Sequence, residues 1–138
     1  HAGERAGADS VNEALDTLPV QRIGHGVRAV EDKHVLERLV RESVHLEVCP
    51  TSNVMTRIYP DYDAHPLNEL RAVGISVSLN SDDPPYFATT IGQEYEVAGS
   101  EMGLEHRDLV QISEAAIAAA FVDEKNRSIL LERIQKNK

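Results

Sequence analysis

The chain has 138 residues, 41% of them hydrophobic and 27% charged, and a net charge of −9, which suits one soluble globular domain with its own core. Such acidity repels a phosphate backbone and no Lys/Arg run offsets it, which argues against nucleic acid; no stretch approaches the roughly 18 apolar residues of a membrane span. The single cysteine, Cys49, rules out an internal disulfide and a cysteine-rich zinc site, and a reducing, cytoplasmic setting is the expectation.

In chain order, His1-Ala2-Gly3-Glu4 comes first, with no initiator methionine, as expected of a piece of a longer polypeptide. Val11 to Leu18 has helical character, with Asp9 or Ser10 available as N-cap. Val20 to Gly24 reads as a short buried strand. Glu31 to Glu42 sets Val35, Leu36, Leu39 and Val40 on one helical face, with acids in its first turn and Arg38 and Arg41 in its last. His45 to Cys49 is the next strand, 51–64 a loop, and Pro66 to about Val73 a helix stopped by Gly74. Ile75 to Leu79 is a third strand. Helices follow near Ile91 to Met102, around the Ala-rich run Ser113 to Phe121, and over Asp123 to Gln135. Strands alternating with helices predict an α/β fold with parallel pairing, either a doubly wound sheet or part of a (β/α)8 TIM barrel.

The polar residues cluster at predicted strand ends. His1 and Glu4 open the chain where a preceding strand would finish; Gly24-His25-Gly26, Cys49-Pro50-Thr51-Ser52-Asn53 and Asn80-Ser81-Asp82-Asp83-Pro84 each follow a strand. Loops at the C-terminal ends of parallel strands converge on one mouth in a barrel. Histidines and carboxylates meeting there suggest a divalent metal, with zinc a natural choice. The bland readings are a frayed terminal His1, a turn histidine at 25, and a helix N-cap at Asp82-Asp83-Pro84. Cys49 reads as a small buried hydrophobe, Ser52 and Asn53 as braces within their loop, and His34, His45, His65 and His106 as structural.

Taken together, HAGE, RIGHG, EVCPTSN and SLNSDDP, in this order and spacing, resemble the adenosine deaminase family of zinc hydrolases over His1 to about Tyr95 and, more loosely, the helical tail. The resemblance implies the (β/α)8 barrel, of which 1–138 would be the C-terminal half, about strands 5 to 8. It implies that His1 and Asp82 bind zinc, that Glu4 protonates the purine ring nitrogen beside the reacting carbon, that His25 assists the attacking water, and that Asp83 contacts the five-membered ring. The implied activity is hydrolytic deamination of adenosine to inosine and ammonia in purine metabolism. Zinc lowers the pKa of water from about 16 to about 7, and a protonated acid such as Glu4 contributes typically about 10² to 10⁴ in rate.

Cytidine-type deaminases use H-x-E with P-C-x-x-C, which a single cysteine cannot provide. Within the resembled family, Gly24 before His25 and the loop Phe87-Ala88-Thr89-Thr90 favour adenosine over adenine; adenine, a modified adenosine, and a non-catalytic fragment are the alternatives. Two further zinc histidines come, in the family, from an H-x-H motif that this sequence lacks, so the N-terminal half of the barrel is the expected partner and 1–138 alone is expected to be inactive.

Overall fold

A computed structural model describes residues 1–136. Helix α1 (Ala8–Thr17) precedes strand β1 (Arg22–Gly24); a 3₁₀ turn (Val27–Glu31) leads into α2 (Lys33–Arg41); β2 (His45–Val48) runs into the short α3 (Pro50–Met55), then α4 (Leu67–Ala72) and β3 (Val77–Leu79). The remainder is helical: α5 (Pro84–Phe87), α6 (Ile91–Ser100), α7 (His106–Ala119) and α8 (Glu124–Gln135). The three strands pair in parallel in the order β1-β2-β3, with Ile23 beside Leu46 and Leu46 beside Val77.

Successive side chains on a strand point to opposite faces, and here the two faces differ in kind. Ile23, Leu46, Val48, Val77 and Leu79 are buried in a core shared with Val11, Leu36, Leu39, Leu67, Leu70 and Ile112 of the helices. The alternate positions carry Arg22, Gly24, His45, Glu47, Ser78 and, just past β3, Asn80. A doubly wound sheet needs apolar residues on both faces to meet its two helical layers. This sheet has one apolar face and one polar face.

Several expected boundaries move for local reasons. The helix expected from Glu31 begins at Lys33, because Asp32 caps it and its carboxylate accepts from His34 N at 2.8 Å; Glu31 ends the 3₁₀ turn, and the acids lie outside the first turn of α2. Gly7, not Asp9 or Ser10, is the N-cap of α1. The loop expected over 51–64 starts as a helix, since Pro50 occupies its first turn, where the lost N–H costs nothing. The Ala-rich helix ends at Ala119 rather than Phe121 and begins at His106, where Glu105 and Asp108 form a capping box.

The strand ladder continues into the segments that follow it. His25 N donates to Glu47 O at 2.9 Å and Asn80 N to Val48 O at 2.8 Å, while Ala2 bridges in parallel to His25. Residues 2, 25, 49 and 80 are thereby brought to one rim of the sheet. Gly26 supports that rim at φ +68, where a Cβ would lie 2.6 Å from Leu46 Cδ2, so this position has no room for a side chain.

Candidate active site

Four of the five predicted site residues meet at this rim. His25, directly after β1, is 1% exposed. Its Nε2 lies 3.6 Å from Glu4 Oε2 and 3.7 Å from Asp82 Oδ2. His1 Nδ1 is 3.8 Å from Glu4 Oε2, and the His1 ring meets the His25 ring edge-on with centroids 4.9 Å apart. His1, Gly24, His25, Asn80 and Asp82 line a cavity of about 540 Å3. Asp83 stands apart: it is exposed at the N-cap position of α5, and its carbonyl accepts from Tyr86 N and Phe87 N.

Two of these residues adopt left-handed backbone, His25 at φ 63 and Asp82 at φ 53. Such conformations cost of order 1–3 kcal/mol each and persist only where surroundings impose them. For His25 the imposing contacts are the bonds between Gly26 N and Ala2 O and between its own N and Glu47 O, both 2.9 Å. For Asp82 the partner is Ser52, whose hydroxyl donates to Oδ2 at 2.7 Å from the first turns of α3. Asn53, beside Ser52 and fully buried, reaches the other face of His25, with Nδ2 3.2 Å from Nδ1. These two residues brace site residues 30 and 28 positions away, Asp82 and His25, beyond the loop in which they were expected to act.

Behind Asn53 lies a residue that sequence reasoning set aside as structural. His65 Nε2 is 3.2 Å from Asn53 Oδ1, and its Nδ1 accepts from Leu67 N at 3.2 Å. The ring is buried against Tyr59, and desolvation pushes its pKa down to about 4. Its only sequence signal is a histidine immediately before Pro66, where a helix starts. Cys49 is buried beside the cavity; its thiol donates to Glu47 O at 3.6 Å, and burial with the nearby Asp82 and Glu94 charges pushes its pKa up to about 12.

Among the described residues, two sets of three donors lie within 4.8 Å: His1, Glu4 and His25, and His25, Cys49 and Asp82. Imidazole nitrogens and carboxylate oxygens in a concave site suit zinc. A larger concavity, about 620 Å3, opens at the opposite end of the strands beside Arg22, His45 and Phe121, and among the described residues no such donor set lies there.

Packing accounts for both features that favoured adenosine. A Cβ at Gly24 would lie 3.2 Å from His1 Cδ2, so glycine there gives room to the His1 ring. In the loop 87–90, Phe87 and Thr89 are buried, Thr89 donates to the fully buried Glu94 at 2.6 Å, and Thr90 caps α6.

The family model described as Adenosine deaminase matches residues 1–137. The adenine deaminase of Chelativorans sp. (strain BNC1) is 50% identical over 135 residues, 98% of this chain and 42% of that protein. The crystal structure of adenine deaminase from Arthrobacter aurescens superposes with a TM-score of 0.96 at 38% identity, covering 99% of this chain and 42% of that one. A zinc-bound amidohydrolase from Burkholderia ambifaria gives a TM-score of 0.89 at 26% identity, over 99% of this chain and 39% of that one. The chain thus spans about two fifths of the length of the curated relatives it matches.

Proposed function

The chain belongs to the adenosine deaminase family, and we propose that it forms the C-terminal half of a (β/α)8 barrel that hydrolyses the 6-amino group of adenine, giving hypoxanthine and ammonia. The observation that carries this reading is His25 Nε2 held between Glu4 and Asp82 beside His1, at the C-terminal rim of a parallel sheet. Barrel enzymes build their sites at that rim. The name shared by relatives 45–52% identical supports free adenine as substrate over adenosine.

His1 and Asp82 are the residues that would hold zinc, with the remaining ligands supplied by the other half of the barrel. When bound, the metal lowers the pKa of water so that hydroxide is available near neutrality. His25 and Asp82 flank the space where the attacking water sits and hold its oxygen toward the purine carbon. Glu4 is assigned, by the family resemblance, the delivery of a proton to the ring nitrogen as that carbon becomes tetrahedral. Ser52 keeps the Asp82 carboxylate in place through its hydroxyl. Asp83 is assigned the contact with the five-membered ring by the family resemblance alone.

The test is kcat/KM for adenine and for adenosine, measured on the complete barrel carrying this chain. The proposal expects adenine to be preferred by at least about tenfold, since a site shaped for the base discriminates through groups left unpaired or displaced by the wrong substrate. Equal or better turnover of adenosine would overturn the substrate assignment.

A further inference from the structure

We propose that His65 and Asn53 are positioning residues that fix His25 in its Nε2–H form, so that His25 presents a hydrogen-bond donor, and neither a base nor a metal ligand, to the space between Glu4 and Asp82.

The polarity of the chain follows from its far end. The Leu67 main-chain N–H can only donate, so His65 Nδ1, 3.2 Å away, carries a lone pair. The neutral ring then has its proton on Nε2, which donates to Asn53 Oδ1 at 3.2 Å. With its oxygen committed, the Asn53 amide can turn only its NH2 toward His25 Nδ1, again at 3.2 Å. Nδ1 of His25 is therefore an acceptor, and the ring proton lies on Nε2, facing the carboxylates at 3.6 Å and 3.7 Å. Reversing the amide would set donor against donor at His65. Burial of His65 keeps that ring neutral across the ordinary pH range.

Two consequences concern chemistry. A histidine bound to a metal through Nε2 offers its other N–H to an acceptor, and Asn53 offers a donor instead. Taking His25 out of the two donor sets leaves His1 with Glu4 in one and Cys49 with Asp82 in the other, and the ligands proposed above, His1 and Asp82, come one from each, with His25 between them as a neighbour. The proton released by the attacking water then goes to the Asp82 carboxylate, while the His25 N–H steadies the oxygen.

The tautomer rests on the hydrogen bonds alone; its catalytic consequence rests on the deaminase reading. The test is long-range 1H–15N correlation on the ¹⁵N-histidine-labelled polypeptide that carries this chain, with and without zinc. The expected result is a protonated Nε2 and a bare Nδ1 for His25 in both states. A protonated Nδ1 in either state overturns the proposal. In Asn53→Asp, an acceptor faces Nδ1, which is expected to gain a proton; an Nδ1 that stays bare also overturns it. His65→Leu is expected to shift both His25 nitrogens and His65→Gln, which keeps a donor toward Asn53, to restore them; no shift in His65→Leu removes His65 from the relay. If these variants do not fold, the wild-type tautomer decides. In the active barrel, Asn53→Asp should lower kcat about tenfold or more with KM unchanged; an unchanged kcat contradicts the catalytic role. A wild-type protein with the expected tautomer and no deaminase activity would sink the functional reading and leave the relay standing.

Discussion

Buried histidines occur at both ends of the sheet, and the two ends treat them differently. At the N-terminal end, His45 opens β2 with its ring nitrogens 2.8 Å from Ser76 Oγ and 2.9 Å from Ser78 Oγ. Hydroxyls rotate to donate or accept, so either tautomer of His45 is satisfied. At the C-terminal rim, His25 and His65 meet an amide and a main-chain N–H, whose roles are fixed. Burial pushes the pKa of both His45, with help from the Arg22 charge, and His65 down to about 4. Burial and a lowered pKa therefore do not mark function by themselves. The rim is set apart by directional partners, opposed carboxylates and left-handed backbone at His25 and Asp82.

The sharpest way to break this comparison is to remove the acid of the rim. In the complete barrel, Glu4→Gln should lower kcat by about 10² to 10⁴, the usual worth of a positioned general acid, with zinc content unchanged by metal analysis. A loss below tenfold would make the rim no more catalytic than the base. Next comes acid stability, which tests what the two ends share. An unfolded histidine titrates near 6.5, and His65 in the fold near 4. The unfolded chain thus binds the extra proton between those values, and stability falls as pH drops from about 6.5 to about 4, with nothing lost above 6.5. His65 contributes about 3 kcal/mol to that fall, and urea titrations at pH 7 and pH 4.5 should show a shallower loss in His65→Gln. His45 acts in the same direction.

Ser52→Ala sharpens the role of the brace. Losing the 2.7 Å bond to Asp82 should weaken zinc binding by about 10- to 100-fold, read by competition with a chelator, while the fold stays intact. The smallest effect belongs to the base. Arg22 Cζ lies 3.7 Å from the centroid of the Phe121 ring, and Phe121→Leu should cost about 0.5–1 kcal/mol in urea denaturation with no change in zinc affinity. A loss of zinc in that variant would erase the distinction between the two ends.

What could be read in the sequence was what local chemistry dictates. Apolar residues at alternate positions of HLEV and ISVSL announced the strands, and polar groups directly after them announced the rim, because a parallel strand delivers the residues that follow it to one side. The short α3 was hidden, since Pro50, Thr51, Ser52 and Asn53 resemble a turn until Pro50 is seen in a helical first turn. His65 was hidden for a different reason: it reaches His25 only through Asn53, across 40 residues of chain, and no spacing rule encodes a contact made by tertiary packing. Gly24 was legible as unusual and misleading as to cause, because the His1 ring that needs its space lies 23 positions away.

The most direct test is a crystal structure of the complete barrel carrying this chain, grown with zinc, with anomalous data collected at the zinc edge. The predicted result is one zinc peak bound by the His1 imidazole and the Asp82 carboxylate, with His25 beside it and not coordinated. A zinc peak elsewhere, or one with His25 as a ligand and Asp82 turned away, would contradict this account of the site.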